Sequence, residues 1–135
     1  MKRPPPAPPA DAPAAAPWRQ HVSDAQLERY LAERTSSHDL AAPRRLELEL
    51  CCACAAGVSV ALAHLEARYF PEIDRALRHL DRSGDLTDEV KQLLRHKLLM
   101  ASPNKLPGIT AFSGRGPLGR WLQVVATREA LMLLR

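Results

Sequence analysis

Apolar residues recur at helical spacing in five segments of the chain, with polar residues on the faces between them. The predicted helices span residues 23–34, 44–56, 60–80, 87–100 and 117–134. Runs rich in Val and Ile, which are typical of strands, are absent, and Ala and Leu carry most of the apolar content. The pattern predicts an all-α fold, a small bundle of four to five helices.

Local signals mark several ends of these helices. Ser23-Asp24-Ala25-Gln26 has the form of a capping box and predicts the start of the first helix. Gly57 is placed to end the second helix, and Ser59 can cap the third. Pro71 falls inside the third helix, where its ring clashes with the carbonyl four residues earlier, so we expect a kink or a break.

The chain divides into an N-terminal arm, residues 1–22, and a helical domain, residues 23–135. Residues 1–17 hold seven of the twelve prolines, with Ala filling most of the rest. Such a segment offers few backbone donors and little area to bury, so we predict a disordered arm. It is either an interaction arm or a solvated tail, and the lack of a recognisable docking motif favours the tail.

Composition excludes several functional classes. No apolar run reaches the roughly 18 residues that span a bilayer, and no signal peptide is recognisable, so we predict a cytoplasmic protein that does not enter membranes. Cys51 and Cys54 supply only half of a zinc site, and the cysteine cluster, which also includes Cys52, is expected to pack in the core. No nucleophile, phosphate-loop or metalloprotease motif is present. We therefore expect a protein that is not an enzyme and needs no cofactor.

The strongest functional signal lies in residues 109–135. A loop, Ser113-Gly114-Arg115-Gly116, leads into an amphipathic helix for which Pro117 is suited as the first residue. The segment holds four arginines and one glutamate, a net charge of +3 out of the formal +4 of the whole chain. Positive charge concentrated where a loop meets a helix is typical of a site for a phosphate-rich partner.

The pattern from Phe112 to Arg135, FxGRxxLxxWLxxxAxRxAxxLLR, resembles the end of region two of bacterial RNA polymerase sigma factors of the extracytoplasmic-function class. Residues 64–71, HLEARYFP, are similar to the first conserved helix of that class. The resemblance covers about residues 46–135 and implies a fold like sigma region two. It also implies a function in transcription initiation, in which the protein binds the polymerase core and recognises and melts the promoter minus-ten element.

The predicted fourth helix begins Thr87-Asp88-Glu89-Val90-Lys91-Gln92, similar to the sigma segment that binds the clamp helices of the largest polymerase subunit. Leu93 and Arg95 depart from the class pattern. The resemblance implies these polymerase-binding residues: Asp88, Glu89, Gln92, Arg95 and His96. The alternative is that the acids only stabilise the helix dipole.

In sigma factors the loop and last helix hold the unpaired non-template strand of the promoter. A mobile loop can receive a flipped base, and cations can follow the strand backbone. The DNA-binding residues implied here are Asn104, Lys105, Arg115, Arg120, Thr127 and Arg128. Trp121 could stack on a base, but it shares an apolar face with Leu118 and Leu122, which favours core packing.

A complete sigma factor of this class continues into region four, a helix-turn-helix domain, which this sequence lacks. The chain would then be a fragment, or a partial sigma factor that needs a partner, and an anti-sigma factor is a further partner that the resemblance implies. Two other hypotheses remain. One is a regulatory helical module that binds polymerase or another protein without opening DNA, and the other is a nonspecific DNA-binding protein.

Overall fold

The computed structural model describes residues 16–36 and 40–135, and all regular elements in these ranges are helical. The α-helices, in chain order, are α1 (Asp24–Arg34), α2 (Ala42–Ala55), α3 (Ser59–Arg68), α4 (Pro71–Leu77), α5 (Asp85–Leu99) and α6 (Leu118–Leu133). The predicted all-α helical bundle is confirmed. The long third helix of the prediction is broken into α3 and α4.

Pro71 causes this break. Helix α3 ends at Arg68, and Pro71 is the first residue of α4, a position where its missing N–H group has no partner to lose. Phe70 lies between the two helices and is buried, so the junction contributes to the core. The bend lets α3 pack on α2 while α4 packs on α6.

Helix α2 is the centre of the domain, because every residue from Leu46 to Cys54 is buried. All three cysteines belong to this stretch, and their thiols are free. Their predicted packing in the core is confirmed. Burial raises the pKa of the Cys54 thiol to about 12, so this thiol stays protonated and unreactive at neutral pH.

Two glutamates are buried within the same helix, and cations offset their charge. Glu49 is 2% exposed, and one of its carboxylate oxygens lies 3.0 Å from Nη2 of Arg19 and 3.3 Å from Nε of Arg45. A buried carboxylate is tolerated in a core only when it is paired in this way. Arg19 therefore ties the segment before α1 to the central helix.

The predicted boundary of the arm at residue 22 is wrong. Residues 19–21 form a short 3₁₀ helix, and Trp18 and Val22 on either side of it are buried in the core. The Trp18 ring packs against the His64 ring of α3, with centroids 4.7 Å apart. The prediction failed because it weighed the prolines of this segment and not the area that one tryptophan can bury. Residues 1–15, also assigned to the arm, lie outside the described residues.

Two of the predicted end signals are found in the structure. The hydroxyl of Ser23 accepts the N–H of Gln26 at 3.1 Å, as the capping box predicted. Gly57 follows α2 with φ +78°, a conformation that favours glycine. Two expectations were wrong: Ser59 is the first residue of α3 and not its cap, and Pro117 precedes α6 and does not begin it.

Helix α6 is bound to both α4 and α5 by side chains. The ammonium of Lys97 on α5 lies 2.9 and 3.0 Å from the two carboxylate oxygens of Glu129 on α6. Glu72 on α4 accepts a hydrogen bond from the Gln123 amide. These contacts fix the helix that carries three of the six predicted DNA-binding residues, Arg120, Thr127 and Arg128. No helix in the described part of the chain is long and apolar enough to cross a membrane.

Candidate functional site

The polar face of α5 carries most of the residues predicted to bind polymerase. Asp88, Glu89, Gln92 and His96 are exposed, and their spacing of three to four residues places them along one side of the helix. Val90, Leu94 and Leu98 hold the opposite side in the core. The face is therefore accessible and is carried by a firmly packed helix.

Arg95 differs from its neighbours on this face. Its guanidinium makes a two-point ion pair with Glu66 of α3 and also donates to Oε1 of Gln92 at 2.9 Å. It lies over the Phe70 ring, 5.3 Å from the ring centroid. Arg95 thus braces α5 against α3, so the predicted polymerase contact would have to compete with an existing ion pair.

The start of α5 is capped by a side chain that precedes it closely in sequence. The carboxylate of Asp81 accepts the N–H groups of Gly84 at 3.1 Å and Thr87 at 2.7 Å. These bonds, chiefly that from Thr87, lower the pKa of Asp81. Asp85 and Asp88 lie in the same first turn, so the start of α5 forms an acidic patch.

The loop that leads into α6 forms an arch, residues 114–118, that begins at Gly114. This glycine has φ +80° and is pressed against Leu48 of α2. A Cβ atom at this position would lie 2.8 Å from Cδ1 of Leu48. The arch therefore starts where only glycine fits without strain and without displacing a fully buried side chain.

Glu47, the residue next to Leu48, holds the other end of the arch. Its Oε1 accepts the N–H of Leu118, the first residue of α6, at 3.1 Å in a buried setting. The same oxygen lies 2.8 Å from Nε of Arg44, and the Tyr69 hydroxyl lies 3.4 Å from Oε2. One unpaired N–H of the helix start is thereby satisfied by a distant carboxylate. Two consecutive residues of α2 thus hold both ends of the arch that carries Arg115.

Three of the predicted DNA-binding arginines meet around one cleft beside this arch. Arg115, Arg120 and Arg128 line a cavity of about 370 Å³, together with Phe112 and Trp121. We call it the arginine cleft. All three arginines are exposed, and none forms an ion pair with an acid in the described ranges. The cleft therefore presents uncompensated positive charge next to aromatic surface.

Trp121 contributes both to the core and to the cleft. The centroid of its ring lies 5.7 Å from that of the Phe112 ring, the two ring planes are tilted by 57°, and the residue is half-buried. Phe112 itself is buried. The core packing that the apolar pattern favoured accounts for one side of Trp121, while the other side lines the arginine cleft.

The remaining predicted DNA-binding residues do not line the cleft. Asn104 and Lys105 are exposed in a tight turn, in which the backbone groups of Ser102 and Lys105 bind each other at 3.0 and 3.1 Å. The hydroxyl of Thr127 donates to the Gln123 carbonyl at 2.8 Å within α6. The structure therefore brings together three of the six residues that the resemblance implied.

Sequence reasoning missed the residues that hold the arch. Glu47 and Leu48 lie 71 and 66 residues before Leu118 and Gly114, and no periodicity connects such positions. One signal was available: Glu47 and Glu49 alternate with leucines just where the helix should be buried. An acid within a buried helix needs a partner, and the partner of Glu47 is the start of α6.

Among the described residues, no group of three or more His, Cys, Asp or Glu side chains could hold a metal ion. Comparison with protein-family models, with curated proteins and with solved structures finds no match to this chain.

Proposed function

We propose that this protein acts in transcription initiation as a sigma-type factor in the cytoplasm. In this proposal the exposed face of α5 binds the clamp helices of the RNA polymerase core, and the arginine cleft holds the unpaired non-template strand of the promoter minus-ten element. It is a binding function, and the nucleotide chemistry belongs to the polymerase.

The observation that carries the proposal is the meeting of Arg115, Arg120 and Arg128 beside the exposed side of Trp121. Proteins that bind single-stranded nucleic acid combine cations that follow the backbone with aromatic rings on which bases stack. Here both features line one cavity of about 370 Å³. The resemblance of residues 112–135 to sigma region two is a separate line of support.

The test is fluorescence anisotropy of a labelled non-template minus-ten oligonucleotide, mixed with this protein and sigma-free core polymerase. We expect capture that depends on polymerase. The double variant Arg115→Ala/Arg128→Ala should weaken it by at least about tenfold, because two charge-assisted contacts are lost. The control is Arg29→Ala/Arg78→Ala, which removes the same charge from two exposed arginines outside the cleft.

The second candidate function is a regulatory module that binds polymerase without opening DNA. The accessibility of the α5 face, which lies outside the arginine cleft, favours this candidate. Polymerase binding that Asp88→Lys/Glu89→Lys abolishes, with no oligonucleotide capture, would support it over the first. Salt-sensitive duplex binding without polymerase would indicate a nonspecific DNA-binding protein. Absence of any polymerase binding would contradict both polymerase-based functions.

A further inference from the structure

A second cleft borders the start of α6 and adjoins the arginine cleft. It has a volume of about 360 Å³ and shares Pro117 and Arg120 with the first. We call it the polar cleft, and its charged and polar lining includes Arg44, Glu47, Arg68, Glu72, Arg120 and Gln123. Sequence reasoning assigned no role to this surface, apart from Arg120.

The acids of the polar cleft are already neutralised by groups of the protein. Glu72 lies 3.0 Å from the guanidinium of Arg75 and accepts the Gln123 amide at 2.5 Å. Glu47 binds Arg44 and the start of α6, as described above. Neither carboxylate is available to attract a cation from solution, so the cleft is not suited to a metal ion or an ammonium group.

Its remaining charge is positive. Arg68 is exposed at the last turn of α3, with its guanidinium 5.3 Å from the centroid of the Tyr69 ring. Like Arg120, it forms no ion pair with an acid within residues 16–36 and 40–135. Two uncompensated guanidiniums therefore face one cleft, and an anion is the ligand that they favour.

Arg120 lines both clefts, so the two clefts form one continuous basic surface. An anionic polymer seated in the arginine cleft can pass Arg120 and enter the polar cleft without leaving basic surface. We propose that the polar cleft binds the phosphodiester backbone of the nucleotides adjoining those in the arginine cleft, with Arg68 as the phosphate contact. This inference rests on the proposed function, and it extends the DNA-binding surface from α6 to α3.

The test measures the salt dependence of oligonucleotide capture in the presence of core polymerase. Each phosphate contact on a single strand contributes about 0.7 to the slope of log affinity against log salt concentration. Arg68→Ala should reduce the magnitude of that slope by about 0.7. The ratio of wild-type affinity to variant affinity should therefore fall about threefold as the salt concentration rises from about 50 to about 200 mM. Arg68→Lys keeps the charge and should keep the slope. Arg78→Ala, an exposed arginine of the α4 end outside both clefts, is the control.

Trimming the oligonucleotide one nucleotide at a time from each end gives a second readout. Once the strand is too short to reach the polar cleft, the wild-type protein and Arg68→Ala should bind it equally. A merely structural role of Arg68 would not depend on oligonucleotide length. Thermal unfolding and polymerase binding of the variant check that the domain and the α5 face are intact.

Three outcomes would overturn the inference. Equal slopes for wild type and Arg68→Ala at all lengths would show that Arg68 contacts no phosphate, while leaving the proposed function in place. An equal effect of Arg78→Ala would assign the change to net charge alone. If the wild-type protein captures no oligonucleotide with polymerase, the proposed function fails first and this inference fails with it.

Discussion

The two helices that carry the candidate contact surfaces, α5 and α6, begin in different ways. The start of α5 is capped by Asp81, six residues before Thr87, whose N–H it accepts. The start of α6 is capped by Glu47, which is 71 residues away from Leu118 in the chain. A local cap stabilises its own helix. A distant cap also fixes where the helix start lies relative to the core.

This difference matches the use that each surface would have. The polar face of α5 is formed by residues of this one helix, so a stable helix is enough to present them together. The arginine cleft combines a loop residue, Arg115, with Arg120 and Arg128 of α6. Its geometry depends on how the loop is held, and α2 supplies both attachments. Substitutions at Glu47, at the glycines that precede the two helices and at Asp81 test this contrast.

The largest effect is expected when Glu47 is replaced. Glu47→Ala removes the acceptor for the buried N–H of Leu118 and the partner of Arg44, which should lower the free energy of unfolding by about 3 kcal/mol. Glu89→Ala, which removes an exposed carboxylate of α5, should stay within about 0.5 kcal/mol. Urea unfolding of both variants measures the difference. Equal losses would contradict the role of Glu47 as a distant cap.

A smaller effect is expected at the glycines that precede the two helices. Gly84, at the start of α5, has φ +89° with open space around it, whereas Gly114 has φ +80° and faces Leu48. Gly84→Ala should lower the free energy of unfolding by about 1 kcal/mol, because of backbone strain alone. Gly114→Ala should lower the free energy of unfolding by about 2–3 kcal/mol, because the buried Leu48 side chain must also move.

The same pair of variants separates stability from binding. Gly114→Ala displaces the arch and should also weaken oligonucleotide capture, whereas Gly84→Ala should leave capture unchanged. Urea unfolding and the anisotropy titration with core polymerase measure the two properties. The contrast fails if Gly84→Ala lowers the free energy of unfolding as much as Gly114→Ala does.

The smallest effect is expected at Asp81, where it depends on pH. Hydrogen bonds from Thr87 and Gly84 lower the pKa of this carboxylate in the folded protein. Its charged form therefore stabilises the fold at pH values above its unfolded pKa of about 3.9, and this stabilisation is lost as pH falls through the lowered folded pKa. Asp81→Asn should lower Tm at neutral pH. The difference in Tm between the variant and the wild type, the Tm gap, should become smaller in acid.

Thermal unfolding followed by circular dichroism, from neutral pH to about pH 2.5, measures this gap. A gap that stays constant over the whole range would contradict the capping role of the charged carboxylate. The two caps differ in burial: Glu47, which caps α6, is buried, whereas Asp81, which caps α5, is partly exposed.

Features set by neighbours in sequence were predictable. The cap between Ser23 and Gln26 spans three residues, and the break at Pro71 follows from its ring, so both could be read from short stretches. Leu27, Tyr30 and Leu31 recur at a spacing of three and four residues, which places them on one face of α1, and all three are buried. The all-α class followed from many such local patterns acting together.

Features set by distant contacts were not predictable. Trp18 is ordered by His64 and by the core around it, and no local pattern in a proline-rich stretch shows this. The resemblance implied Asn104 and Lys105 together with Arg115, which lies in the same loop between α5 and α6, but the turn at Ser102 closes their part of this loop on itself. Loop membership sets proximity along the chain and not position on the surface.

The positions of the two tryptophans have a practical consequence for spectroscopy. Trp18 is buried beside an imidazole ring, whereas Trp121 is partly open to the arginine cleft. Since they are the sole tryptophans of the sequence, Trp121→Phe leaves fluorescence that reports the docking of the N-terminal segment alone. Trp18→Phe leaves fluorescence that reports occupancy of the cleft. Unlabelled protein thus carries one optical reporter in each of two regions that can be followed separately.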